Sequence, residues 1–264
     1  MKPARLPRER LIDPRTILQL IRKELRDAVR NRWFVSYTIA FALLSLGLAY
    51  LSRVGTSMSG FSGFGPTAAA MINLVIMIVP LMALTIGAGS LTAERERGML
   101  AYLLAQPVNR IELILSKFIG LSIALTGSLA FGFGLAGTVL AANADASHLN
   151  IFIHLVLLSC VLALSMLAVG VLISTIARRS SAAMGAAILT WLLIVFLGDL
   201  GLMGSAVMFR LNAQELFLAA IVNPTQAFKL SVIGGLPTLL IGCLAAWLIV
   251  PLVASVLIFS RKPL

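Results

Sequence analysis

Charge is scarce in this sequence. Of its 264 residues only 12% are Asp, Glu, Lys or Arg, about half the share of an ordinary water-soluble domain. With 59% hydrophobic residues and a mean hydropathy of +1.01, the chain has too little polar surface to cover a soluble globule, so a membrane protein is expected. Cysteine is almost missing: Cys160 and Cys243 both lie inside apolar runs, which excludes a disulfide framework and favours inert packing. The two histidines, His148 and His154, are six apart and do not share a helical face, so no metal site is expected. The methionines are scattered without close repeats and read as core filler. No G-x-x-x-x-G-K-[ST], H-E-x-x-H, C-x-x-C or G-x-S-x-G occurs, which removes a P-loop, a zinc-protease helix, a redox pair and a hydrolase nucleophile elbow. The expectation is a chain that catalyses nothing and binds no cofactor itself.

What is present is apolar length. Six runs, about 33–52, 69–91, 113–141, 151–176, 182–203 and 238–259, approach or exceed the roughly 20 residues a helix needs to cross the hydrocarbon core. They are continuous rather than short and alternating, so an all-α bundle of six transmembrane helices is predicted and a β-barrel is not. The first run follows some thirty residues of charge-rich sequence without a small-residue cleavage site, and reads as a permanent span rather than a signal peptide. Lys and Arg remain on the cytoplasmic side of short loops. With the N-terminus inside, only Arg53, Arg210 and Lys229 of the 21 basic residues fall outside, so both termini are predicted to be cytoplasmic. The net charge of +11 and pI of 10.8 then follow from topology and contact with anionic membrane lipid, and call for no nucleic acid.

Residues 1–32 divide from 33–264. The first fifteen read as a cytoplasmic arm. In TILQLIRKELRDAVRNRW, Ile17, Ile21, Leu25, Ala28 and Val29 recur at helical spacing while Arg22, Lys23, Arg26, Asp27 and Arg30 take the other face. This is the pattern of an amphipathic helix in the membrane interface, entering the first span at Trp33. The second run holds Pro80, Gly87 and Gly89, which allow a kink and a close neighbour. The third contains a literal G-x-G-x-x-G at 132–137, but inside an apolar helix rather than after a strand, so it reads as helix packing. The outer segment 204–237 carries an Asn223-Pro224 break between apolar pieces too short to span, and reads as a re-entrant or interfacial pair. Asp199, the one carboxylate within an apolar run, falls near the outer interface and is expected to pair structurally, with Arg210 as the candidate partner.

The densest charge outside the N-terminal region lies in LTAERERGMLAYLLAQPVNRIELILSKFIG, residues 91–120. Gly98 can end the preceding helix, MLAYLLA forms a short amphipathic piece, Gln106-Pro107 stops it, and Val108-Asn109-Arg110 starts the next helix. A surface helix bounded by charges suits a cleft in a cytosolic partner.

This segment resembles the coupling-helix region of the permease subunits of ABC-2 type transporters, with two acids about a base, then Gly, Leu-Leu, x-Pro-[Val/Leu]-x-Arg and Lys-Phe-x-Gly. Met99 stands where the family commonly has Thr. Arg-Lys-Glu-Leu at 22–25 resembles that family's connecting helix, and the six spans with a re-entrant segment before the last fit its fold. The resemblance implies that Glu94, Arg95, Glu96, Gly98, Pro107 and Arg110 couple to a separate cytosolic ATPase, which would carry ATP and Mg. It also implies that Arg22, Lys23, Glu24 and Arg26 belong to the connecting helix. Two copies would pack in a bacterial inner membrane as a homodimer. RKELRDAVRNRW (22–33), SSAAMGAAILTWLLIVFLGDL (180–200) and NPTQAFKL (223–230) further resemble the subgroup of these permeases that supports maturation of the copper sites of nitrous oxide reductase. In that reading Asn223, Pro224 and Thr225 lie in a segment that meets a periplasmic accessory protein. The alternatives are a generic exporter of lipid, drug or peptide, or a stand-alone ion-coupled transporter.

Overall fold

The computed structural model describes residues 14–59, 64–100, 109–141, 146–201, 204, 213–234 and 238–261. Among the described residues the regular elements are all helical: α1 (Pro14–Arg30), α2 (Arg32–Ser59), α3 (Phe64–Glu96), α4 (Arg110–Ala141), α5 (Ala146–Ile176), α6 (Ser180–Leu192), α7 (Ala213–Val222), α8 (Pro224–Gly234) and α9 (Thr238–Arg261). Helix α6 continues through a π turn, Leu193–Leu197, to residue 201. Six helices are long and apolar enough to cross a membrane: Arg32–Leu51, Ala69–Glu96, Arg110–Leu140, Asn150–Ile176, Ser180–Gly201 and Leu239–Arg261. These are the six expected spans. Where α3 and α4 approach the charged loop they run several residues beyond the apolar stretches, as unbroken helix through Glu94 and Lys117.

Helices α3 and α5 form the centre of the bundle. Helix α3 packs most extensively along α5, α9 and α4 take other faces of α5, α2 and α1 lie on α4, and α6 lies on the outer side of α3. Lipid tails are as apolar as leucine, so no hydrophobic gain drives these pairs together; close backbone approach and interhelical hydrogen bonds do. Both are present. A Cβ on Gly170 would stand 2.7 Å from the Leu84 carbonyl oxygen, and one on Gly87 would stand 2.9 Å from the Gly170 Cα. The α3–α5 crossing therefore requires glycine on both sides. Nearby, the Leu91 N–H donates to Ser174 Oγ at 2.8 Å, Ser165 Oγ donates to the Leu244 carbonyl of α9 at 3.0 Å, and the Thr38 and Ser128 hydroxyls join α2 to α4 at 2.8 Å.

Pro80 lies inside α3 and removes the N–H that would bond the carbonyl one turn back. In that turn the Met77 carbonyl accepts from Trp191 Nε1 of α6 at 3.0 Å. The G-x-G-x-x-G stretch sits within continuous α4. Gly132 seats the Phe41 ring, Gly137 touches Phe152, and Gly134 has open space, so the repeat serves packing. Phe41, Phe133 and Phe152 then join α2, α4 and α5 edge to face, with centroids 5.1 and 5.9 Å apart, a favoured aromatic geometry.

Gly170→Val places two extra methyls and a Cβ against backbone that cannot yield, whereas Gly134→Ala fills open space. The first is expected to cost at least about 1–3 kcal/mol of stability, and the second to be neutral or mildly stabilising. Thermal denaturation in detergent distinguishes them, and equal melting of both variants would contradict the crossing described.

Candidate functional site

Four charges meet at one end of the bundle. Lys117, one of the least accessible large side chains in the protein, extends from α4 and places Nζ 2.8 Å from Glu24 Oε1 of α1 and 2.9 Å from Glu94 Oε2 of α3. It donates to Glu24 and attracts the Glu94 carboxylate across the second contact. Lys23 closes the group, with Nζ 2.5 Å from Glu94 Oε1, 3.3 Å from Glu24 Oε1 and 3.6 Å from Asp27 Oδ2. Burial pulls the Lys23 pKa down, but the bond to Glu94 and the nearby Glu24 carboxylate more than offset this and leave it above the ordinary lysine value. A raised lysine pKa contributes stability that is complete below the unfolded value of about 10.4. That contribution fades only as pH rises through the higher folded value, so Lys23 stays charged throughout the physiological range.

Local sequence makes this meeting possible. Gly120, one turn after Lys117, lets α1 settle on α4: a Cβ there would be 2.7 Å from Glu24 Cβ and 3.1 Å from the Ile21 carbonyl oxygen. The Lys-Phe-Ile-Gly and Arg-Lys-Glu-Leu stretches are thus two halves of one contact. The buried line of α1 is Leu20, Glu24 and Ala28, while Val29 is exposed. The apolar face therefore departs from the expected one, because an acid on the buried side is neutralised by Lys117.

The rest of the charged loop binds helix ends. Arg95 donates to the Ala177 carbonyl just beyond α5. Glu96 accepts from the Ser180 N–H at 2.7 Å; the residue before α6, Arg179, offers no side-chain cap, so α3 supplies one. An anion at a helix N-terminus also meets the positive end of the helix dipole. Gly98 turns the chain at φ +70°, in the left-handed region that favours glycine. Asn109 and Glu112 cap α4 reciprocally: Asn109 N–H donates to Glu112 Oε2 at 2.9 Å, and Ile111 N–H to Asn109 Oδ1 at 3.4 Å. Arg110 Nη1 donates to the Phe259 and Ser260 carbonyls at the end of α9, at 3.2 and 3.4 Å. The charges of residues 94–112 thereby fasten α1, α4, α5 and α6 to the end of α3, and α9 to the start of α4. Glu94 faces this cluster, while Glu96, Arg97, Gly98 and Met99 are exposed, as are Arg22 and Arg26. Pro107 and most of MLAYLLA lie outside the described residues.

The opposite end has its own junction. Asn223 precedes α8, and its Oδ1 accepts from Thr225 N–H and Oγ1 at 3.0 and 2.8 Å, an N-cap with Pro224 at the first helical position. Its Nδ2 donates to the Ile194 carbonyl at 2.7 Å, within the π turn of α6. Gly198 leaves room for the amide, since a Cβ there would overlap Nδ2. Trp247 Nε1 of α9 donates to the Val222 carbonyl at 2.9 Å. Asp199 pairs with Lys229 of α8, whose Nζ lies 3.0 and 3.1 Å from its two oxygens, and accepts from Gln226 Nε2. Lys229 is thus the basic partner found among the described residues, and Arg210, the expected one, lies outside them. Lys229 is thirty positions away in sequence, and the Asn223 cap, which joins α8 to the π turn of α6, helps to bring it back. Among the described residues no group of His, Cys, Asp and Glu could hold a metal.

Residues 18–264 match the model of the ABC-2 family transporter protein. The chain belongs to the ABC-2 family of transporters. It is 29% identical to a probable ABC transporter permease protein NosY of Stutzerimonas stutzeri, over 93% of this chain and 98% of that one. It is 32% identical to a probable ABC transporter permease protein NosY of Pseudomonas aeruginosa, over 82% and 81%. An ABC-2 permease is a transport component that works with an ATPase subunit, so a stand-alone ion-coupled transporter does not fit this membership.

Asn223→Ala removes a cap and exposes the Ile194 carbonyl, and is expected to cost about 1–3 kcal/mol. Asp199→Asn breaks a pair whose side chains are 46% and 27% exposed and is expected to cost about 0–1 kcal/mol. Chemical or thermal denaturation in detergent measures both; a reversed order would show that the cap is not what holds α8.

Proposed function

We propose that this chain is the permease of an ABC transporter whose separate cytosolic ATPase docks on the loop 94–110, and that the complex supports maturation of the copper sites of nitrous oxide reductase. The observation that carries the docking reading is the joining of α1, α4, α5 and α6 to the end of α3, and of α9 to the start of α4, by the charges of residues 94–112. A body that displaces the loop displaces α1, α3 and α4 together through Lys23, Glu24, Glu94 and Lys117, and reaches α6 through Glu96. The exposed turn Glu96–Met99 is what a partner would touch, and Glu94 transmits inward. ATP and Mg would be bound and hydrolysed on the partner. Two copies of the chain would pack into a homodimer in the bacterial inner membrane, with both termini cytoplasmic. The broken pair α7–α8 would dip in from the outer side, where an accessory periplasmic protein would meet Asn223–Thr225.

Resemblance along the chain to permeases named NosY supports the narrower role, and two measurements test its two levels. Pull-down from native membranes in mild detergent should recover a P-loop ATPase with the wild type. Exchange of the exposed turn, Glu96→Ala with Arg97→Ala, should reduce that recovery at least tenfold without lowering the melting temperature by more than a few degrees. Expression in a host deleted for its own NosY should restore copper loading of nitrous oxide reductase. Recovery of the ATPase with no restoration would retain the ABC reading and transfer the chain to an exporter of lipid, drug or peptide. Absence of any ATPase would defeat the docking reading.

A further inference from the structure

Helix α1 carries a row of arginines without an acidic partner among the described residues. The line it buries against α4 is Leu20, Glu24 and Ala28. Arg22, Arg26 and Arg30 are all exposed, and none of them forms an ion pair with an acid among the described residues. At four-residue spacing the three follow one another along a strip about 80° wide. Beside that strip Leu18 and Val29 are 65% and 56% exposed. The outward face of α1 is thus apolar along one edge and cationic along the other.

Its position sets what it meets. Glu24 rests on Gly120, ten residues into a span that begins at Arg110, or roughly 15 Å along α4. Helix α1 therefore lies beside a membrane-crossing helix at the bundle's charged end rather than out in solution. Where α2 begins, Trp33 is 70% exposed and leans on Tyr37 with ring centroids 6.4 Å apart, an amphipathic aromatic pair of the kind found at headgroup depth. An apolar edge, a cationic edge and an adjoining aromatic at one level match a helix lying in the headgroup layer.

We propose that this face of α1 is a docking surface for anionic phospholipid, with Arg22, Arg26 and Arg30 on the headgroup phosphates and Leu18 and Val29 against the upper acyl chains. Guanidinium groups suit the phosphate by bidentate hydrogen bonding, and three exposed cations with no acidic partner among the described residues are complementary to an anionic leaflet. The other face of the same helix holds Lys23 and Glu24 in the ion cluster, so lipid bound outside fixes the height of the cluster inside. The lipid then acts as a fixed support against which a docked partner can push. This inference rests on the membrane-embedded fold and not on nitrous oxide reductase.

The test is the thermal midpoint of the purified full chain in detergent during titration with phosphatidylglycerol or phosphatidylcholine. Wild type should be stabilised by phosphatidylglycerol far more than by phosphatidylcholine. Each arginine near an anionic surface contributes about fivefold in partitioning. Arg22→Gln with Arg26→Gln and Arg30→Gln should therefore raise the midpoint of the phosphatidylglycerol titration by on the order of a hundredfold, with unchanged melting in phosphatidylcholine. Arg178→Gln with Arg179→Gln, which removes two exposed cations at the same end, should leave it within a few fold. If the triple variant does not fold, Arg26→Gln alone should still show about a fivefold shift, and Arg26→Lys should restore most of it. Equal stabilisation by the two lipids, or a triple variant that titrates like wild type, would overturn the proposal. So would a triple variant that keeps its phosphatidylglycerol response but loses the co-purifying ATPase, which would assign the face to that partner.

Discussion

A lysine ammonium held away from water has to be neutralised, and that requirement organises the charged end of this protein. Removing one such ion from water costs several kcal/mol even after relaxation. Lys117 is 1% exposed and sits on a helix otherwise built for lipid. Its countercharges come from other helices: Glu24 arrives from α1 and Glu94 from α3. Two acids and two bases make the cluster neutral, and each acid draws on both lysines. The consequence is mechanical. Three helices are held at this end by an arrangement in which displacing any one leaves a charge uncompensated. Replacing such a cluster by well-packed apolar residues is often neutral for stability, so its presence speaks more for a fixed register than for extra stability.

The same logic, with neutral groups, governs the opposite end. Asn223 serves two helices at once, capping α8 and taking a carbonyl from the π turn of α6. Trp247 and Trp191 donate to the Val222 and Met77 carbonyls, at the end of α7 and in the turn before Pro80. Backbone carbonyls near helix irregularities cannot be satisfied by water inside a membrane, and here asparagine and tryptophan side chains satisfy them. Between the two ends, the α3–α5 crossing is fixed by Gly87 and Gly170. A movement imposed at the charged end therefore travels along α3 and α5 as a tightly seated pair.

Much of this was legible in the residues. Continuous apolar runs define the spans because lipid imposes length directly, and the Asn-Pro pair announces a break because proline lacks an N–H. Gly98 and Asn109 marked the ends of their helices correctly. The partners of charges were not legible. Lys117 stood in the quoted stretch, yet nothing local says that Glu24, 93 residues earlier, is its acid; the available signal was a lysine inside a span, which must find one. Glu24 reads as part of the polar face of α1 until Gly120 brings α4 against it. Asp199 was recognised as needing a partner, but Lys229 reaches it through the packing of α8 and the Asn223 cap, which are tertiary facts. Glu94, grouped by its motif with a docking surface, points into the cluster because α1 and α4 converge there.

The charged end depends on the mutual compensation of its buried charges, and a double-mutant cycle on Glu24 and Lys117 tests this most directly. Glu24→Gln, Lys117→Met and the double variant would be unfolded in detergent beside the wild type. Lys117→Met alone should cost about 3–5 kcal/mol, because two carboxylates lose their shared cation, and the pair should couple by about 1–3 kcal/mol. Additivity of the two single losses to within about 0.3 kcal/mol would mean that the side chains do not depend on each other, and the charged end would have to be held together by something else.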